Sequence, residues 1–327
     1  MDVPMWAWIA VIGGLLVVLA VDLWIVDRGE AREFSMRQAG YWVTFYVALA
    51  VAFGALLWAV GGGGAAGEFF AGYITEYSLS VDNLFIFFII MSRFAVPKAY
   101  QHKVLLVGIL LALVMRGIFI ALGAAALERF SWLFYVFGAF LVYTAINLVR
   151  QHLKGDEEEF NENAVLRWVR RAFPTTEGYV GSKVTVKIDG RRMVTPMLIV
   201  MVAIGSTDLL FALDSIPAIF GLTKDPFIVF TANAFALMGL RQLYFLLGGL
   251  LQRLVYISYG LAFILGFIGV KLVLEALHSS HVSWAPQIPI WVSLSVIGAT
   301  MVITTVASLI KARIDARKGE ETHPEQV

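Results

Sequence analysis

The sequence predicts an all-α polytopic membrane protein, on three observations. Hydrophobic residues make up 59% of the 327-residue chain and charged residues only 15%, whereas a soluble domain carries about 25% charged residues. Apolar runs of about 20 residues, the length that crosses a hydrocarbon core, recur along the chain. The connections between them alternate between rich and poor in Lys and Arg, the asymmetry that sets orientation in a membrane.

Nine spans are expected, near 4–26, 41–60, 69–91, 103–124, 130–149, 196–221, 226–249, 253–276 and 288–310. The first run, Val3 to Val26, has no basic segment before it and no small-residue cleavage site. It reads as a retained span rather than a signal peptide. Basic residues cluster in the first loop (Arg28, Arg32, Arg37), after span three (Arg93, Lys98, Lys103), across 150–195, at Arg253 and in the tail from Lys311. The alternate connections 61–68 and 277–287 have none, and 125–130 and 222–225 have one each, Arg129 and Lys224. The expected topology places the N-terminus outside and the C-terminus in the cytoplasm, in the inner membrane of a bacterium.

The chain divides into two N-terminal spans (1–68), a first three-span unit (69–149), a cytoplasmic loop (150–195), a second three-span unit (196–276), a ninth span (277–310) and a tail (311–327) that is polar and expected to be disordered from Lys318. In the loop, EEEFNENAVLRWVRRAF reads as a basic amphipathic helix at the lipid surface, ended by Pro174. KVTVKIDGRRMVT alternates around Asp189-Gly190 and reads as a β-hairpin. Gly61 to Gly64 is followed by no Lys-Ser or Lys-Thr, so it reads as a flexible outer loop, not a phosphate cradle.

Two motifs carry the chemistry. EYSLSVDNLFIF at 76–87 and STDLLFALDSIPAIF at 206–220 each place an acidic residue six positions before an aspartate: Glu76 and Asp82, then Asp208 and Asp214. The helix after each motif carries a mid-span arginine, Arg116 or Arg241. Spans three and six run in opposite directions, so spans 3–5 and 6–8 read as inverted repeats, with a binding site near the midplane between them. A charge at a helix centre costs roughly 2.5–3.5 kcal/mol on insertion scales. Internal ion pairing is the plain explanation, and it covers part of the cost. Four acids against two arginines leave two negative charges, which suits one divalent cation or two protons.

The nearby donors are oxygens: Thr75, Ser78, Ser80, Asn83, Ser206, Thr207, Ser215 and Asn233. There is no cysteine, and the histidines (102, 152, 278, 281 and 323) read as lying at span ends or in loops. Such a site disfavours zinc and copper and favours Mn²⁺, Mg²⁺ or Ca²⁺. On a straight helix Glu76 aligns with Ser80 and Asn83, and Asp208 with Ala212 and Ser215. Pro217 and Gly205 point to an interruption of span six that would free backbone carbonyls as further ligands.

These two long motifs, with GLTKDPFIVFTANAFALMGLRQLYFLL after the second and Val194-Thr195-Pro196 leading into span six, closely resemble the TerC/Alx family of bacterial membrane proteins. The likeness runs from span two through span eight. It implies kinship with the cation and amino-acid exporters of the LysE superfamily, and a link to Mn²⁺ efflux and tellurium resistance. It also implies that Asp82 and Asp214 are the paired central acids, with Glu76, Asp208, Asn83 and Ser215 beside them as metal ligands. The chain departs from many relatives at Gly205, where they carry a glutamate. The expectation is a secondary exporter of a divalent cation, Mn²⁺ on that resemblance, with protons as counter-ion, no resident cofactor, no nucleic-acid partner and no enzymatic activity. Two alternatives stand beside it: a non-transport membrane component of a metal-stress complex, and an exporter of cationic amino acids.

Overall fold

The computed structural model describes residues 3–27, 36–130, 132–154, 164–188, 191–247, 256–280, 282 and 284–322. Among these the helices are α1 (Met5–Asp27), α2 (Met36–Arg93), α3 (Lys98–Arg129), α4 (Leu133–Lys154) and α5 (Ala164–Ala172). The strands β1 (Thr185–Ile188) and β2 (Arg191–Val194) follow, then α6 (Pro196–Phe220), α7 (Pro226–Met238), α8 (Leu240–Leu247), α9 (Ile257–Ser279) and α10 (Ile290–Thr322). Seven helical segments in the described residues are long and apolar enough to cross a membrane, with α7 and α8 counted as one. The apolar stretch of α1, Met5–Val21, is shorter.

The four-glycine run is not a loop. Helix α2 continues through it and reverses at Gly62, whose φ of 79° and ψ of 179° are open to glycine and strained for any other residue. The two arms then run antiparallel. The rings of Phe53 and Phe69 lie 5.1 Å apart, and a Cβ on Gly54 would fall 2.2 Å from the ring of Phe70. So α2 supplies both the second and the third expected spans.

The expected interruption of span six is also corrected. Helix α6 is continuous through Gly205 and Pro217. Pro217 lies in its last turn, where the carbonyl of Pro217 still accepts from Gly221 N at 3.0 Å. Gly205 serves close packing instead: a Cβ there would fall 2.4 Å from a methyl of Leu111. The break occurs in span seven, at Gly239, where α7 hands over to α8 immediately before Arg241.

Helix α7 is the centre of the bundle. Its residues from Phe227 onward are buried, except Phe230. It starts cleanly because the Asp225 carboxylate caps Phe227 N at 2.9 Å and Pro226 takes the first helical position. Small residues at Thr231, Ala232, Ala234 and Ala236 let α2 and α3 approach it from both sides.

Helices α4 and α9 form a second seam. Each carries Gly-x-x-Leu-Val, at 138–142 and 269–273. A Cβ on Gly138 would lie 2.8 Å from the carbonyl of Gly269 and 2.6 Å from Val273. A Cβ on Gly269 would lie 2.8 Å from the carbonyl of Gly138 and 2.9 Å from Val142. These reciprocal contacts pair 138 with 273 and 142 with 269, so the helices are antiparallel. Gly138→Ala or Gly269→Ala must push backbone from backbone, and each is expected to lower the melting temperature of the purified protein. Gly298→Ala, which points into open space, is the matched control and should leave it unchanged.

The loop segment folds much as its sequence reads. Strands β1 and β2 pair antiparallel with Ile188 opposite Arg191, so the turn is Asp189-Gly190, which lies outside the described residues. The start of the amphipathic stretch, up to Glu162 and Asn163, also lies outside them. In α5, Leu166 is buried against the bundle and Trp168 is exposed. The segment is tied to the turn between α2 and α3, where Tyr179 donates to the carbonyl of Phe94 at 2.8 Å, and to the start of α3, where Lys103 donates to Ser182 at 3.0 Å. Burial pushes the Tyr179 phenol above its ordinary value, so it remains a donor well above neutral pH. Helix α10 extends to Thr322, so the tail that read as disordered from Lys318 is helical for one more turn. Its Ala, Lys, Arg and Glu are strong helix formers that need no packing partner.

Candidate cation site

The site is built from the lower arm of α2, from α3, α6 and α7. Arg116 is its hub, 1% exposed. Its Nη1 reaches across from α3 to pair with Glu76 Oε1 on α2 and also donates to Asn233 Oδ1 on α7 at 2.7 Å. Its Nη2 lies 3.7 Å from Asp208 Oδ1 on α6. One guanidinium therefore holds four helices together, as its planar fork allows and a lysine's point charge would not. Both acids named first in their motifs are ion-paired here, with Ser80 Oγ donating to Glu76 at 3.3 Å from one turn along the helix.

The other oxygen donors divide into two groups. Ser78 and Ser206 spend their hydroxyls on the carbonyls of Ile74 and Val202 in their own helices, each at 2.6 Å. Thr75 Oγ1, Glu76 Oε2 and Ser215 Oγ are buried with no hydrogen-bond partner among the described residues. Buried polar atoms are nearly always satisfied, so these three, like Nε and Nη2 of Arg116, are open to a ligand or water. Asn83 on α2 and Thr207 on α6 are buried as well. Asp82 lies on α2 and Asp214 on α6, two helices in contact, but their side chains lie outside the described set. Among the described residues, no three carboxylates or imidazoles converge on one point.

Arg241 is the other buried arginine among the described residues. It is buried at the start of α8, next to Gln242, whose amide has neither end hydrogen-bonded among the described residues. His102 lies near a span end, as its position suggested, but it is not on the surface. It is buried one turn into α3, its ring 4.2 Å from that of Phe245, within electrostatic reach of Arg241. Sequence reading missed Gln242 and the partnership of Asn233 with Arg116. The available signal was an amide embedded in an otherwise apolar run.

With this geometry in place, comparison with known proteins settles the kinship. The profile of the integral membrane protein TerC family matches residues 62–316. The chain belongs to the TerC family. A membrane protein of Mycobacterium tuberculosis is 46% identical over 313 residues, covering 91% of this chain and 79% of its own length. A membrane protein of Myxococcus xanthus is 42% identical over 306 residues, covering 94% and 92%. The Escherichia coli protein Alx, named as a candidate membrane-bound redox modulator, is 37% identical over 324 residues, covering 96% and 97%. No solved structure matches the chain. TerC membership makes this an integral multi-pass membrane protein, and the matched region contains both acidic motifs and both arginines.

Proposed function

We infer that this TerC protein is a secondary transporter that exports a hard divalent cation, with Mn²⁺ as the first candidate. The observation that carries the reading is the buried network of Arg116, Glu76 and Asp208, with Thr75 Oγ1, Glu76 Oε2 and Ser215 Oγ left unsatisfied on the same two acidic helices, α2 and α6. Intramembrane ionisable groups face a cavity, a partner or an ion path. Oxygen-only donors select against soft metals. The cation would bind between α2 and α6, with Asp82 and Asp214 as its central ligands and Asn83 and Ser215 beside them. Arg116 already engages Glu76 and Asp208, so these acids serve as ligands only when the arginine releases them. The chain contains no nucleotide-binding motif, so an ion gradient, with protons as the natural counter-ion, would drive transport. An inverted repeat of spans 3–5 and 6–8 would support alternating access. The antiparallel Gly-x-x-Leu-Val seam of α4 and α9 is what two inverted copies would form on their shared axis.

The relatives named as redox modulators suggest a second role, in metal or redox stress without transport. This chain has no cysteine, so it offers no thiol couple of its own.

The deciding measurement is flux through purified protein in liposomes, with Mn²⁺, Mg²⁺, Ca²⁺ and Zn²⁺ and with or without a pH gradient. Mn²⁺ flux that Zn²⁺ competes with poorly is the expected outcome. Zn²⁺ carried equally well would remove the oxygen-only site, and no flux of any ion would favour the non-transport role. Orientation is tested separately by external labelling of Ser182→Cys in this cysteine-free background. Protection from a membrane-impermeant reagent is expected for a cytoplasmic loop.

A further inference from the structure

Helix α5 is amphipathic, and the bundle covers only part of its apolar side. By helical spacing Leu166, Trp168 and Ala172 belong to that side, and Arg167 and Arg171 to the other. Leu166 is fully buried, on the face where α5 packs against α6. Trp168 is 63% exposed and Phe173, just past the helix, 46%. Their rings meet edge to face, 6.4 Å apart. Packing within the chain leaves this aromatic pair uncovered.

The level of the segment in the bundle is fixed. Strand β2 runs directly into Thr195 and Pro196, where α6 begins. Val194 N donates to the carbonyl of Pro174 at 2.9 Å, and Thr195 N to that of Val184 at 3.0 Å. The bonds from Tyr179 to Phe94 and from Lys103 to Ser182 add the end of α2 and the start of α3. Helix α5 and the hairpin therefore lie where three spans leave the apolar layer. Tryptophan collects at that depth in membrane proteins.

The same surface is basic. From Ala164 to Thr195 the chain carries seven Lys and Arg against two acids, Glu177 and Asp189. Arg167, Arg171, Lys183, Lys187 and Arg192 are exposed, and among the described residues none of them is ion-paired. In the hairpin Lys187 stands directly opposite Arg192. Like charges in a cross-strand pair repel, and an anion lying over both relieves the repulsion.

We propose that α5 and the hairpin form a docking surface for the headgroups of anionic phospholipids. Trp168 and Phe173 enter the apolar boundary, and the basic residues lie on the phosphates. Basic amphipathic segments beside a span bind anionic membranes in this way. An acidic protein would answer the cations, but it would have to displace lipid from the aromatic pair. Because β2 continues into α6 and α5 packs on it, the lipid contact also holds the entry of the helix that carries Asp208 and Asp214. The docking surface stands independently of the export reading.

The chain has no cysteine, so Ala172→Cys accepts a single environment-sensitive fluorophore, NBD, at the exposed end of α5. The full chain is reconstituted in vesicles of phosphatidylcholine, alone or mixed with phosphatidylglycerol. Both leaflets then have the same composition, which makes orientation immaterial. With phosphatidylglycerol the emission is expected to shift to the blue and to be quenched by lipids carrying a doxyl group near the headgroup. Added salt should weaken both effects. Arg167→Gln, Arg171→Gln and Lys187→Gln together should abolish the response, and the salt dependence of the parent chain gives the reading if that variant does not fold. A label that stays in water in both vesicles, or lies equally deep in both, overturns the proposal. So does a response that survives the triple substitution or is unchanged at high salt. A blue shift with polyglutamate and none with phosphatidylglycerol would assign the surface to an acidic protein instead.

Discussion

Neutralising either central aspartate, by Asp82→Asn or Asp214→Asn, is expected to reduce metal efflux to background while the protein still inserts and folds. The amide keeps the shape of the carboxylate and removes its charge. The two residues hold equivalent places in the acidic motifs of α2 and α6, helices that touch in the bundle. Two carboxylates brought close repel unless a cation or a proton lies between them, so on the proposed reading the pair would hold a metal ion and exchange it for protons. The measurement is intracellular Mn²⁺ in cells challenged with excess metal, normalised to the amount of each variant in the membrane. Glu177→Gln, on the exposed loop segment, is the control and should transport normally. Normal efflux in either aspartate variant would place the ion path elsewhere.

Arg116→Gln should be the most damaging single change to stability. It strands Glu76 and Asp208 together in the interior, and removal of one partner from a buried pair typically costs about 3–5 kcal/mol. Much of that should return in Arg116→Gln combined with Glu76→Gln, because Glu76 is the contact partner. Combination with Asp208→Asn should recover less, since that carboxylate stands off at 3.7 Å. Thermal melting in detergent gives the ranking directly. If neither double variant is more stable than the single one, Arg116 is not held by these acids.

The placement of the spans after the first was legible because a membrane imposes one rule, a long apolar run, on every crossing helix. The hairpin was legible for a similar reason: Asp189-Gly190 between alternating residues has few other uses. Breaks in helices were harder to place. Pro217 is a stronger breaker than Gly239 by propensity, yet α6 is continuous and the chain breaks at Gly239. Tertiary packing holds α6, and local propensity carries no information about that. The acids and arginines of the site were legible as expensive residues in an apolar setting. Their pairing was not. Charge balance gives two surplus negatives for the whole set, but it does not reveal that Arg116 engages both Glu76 and Asp208 while Arg241 lies by His102 and Gln242. Nor could the sequence show that α7, with no acidic motif, would be the buried axis of the bundle.

The reversal at Gly62 bears on how the chain reaches the membrane at all. Arg37 and Arg93, at the two ends of α2, stay on the same side of the bilayer. Between them the turn GGGGAAG has no charge, and Glu68 follows it. To the insertion machinery α2 is therefore a single hairpin rather than two successive helices. Only that one carboxylate must be carried across, and no polar loop has to be threaded through. The first crossing need not be stable by itself before the second is synthesised, because the two arms can enter the lipid together with their backbones already paired internally.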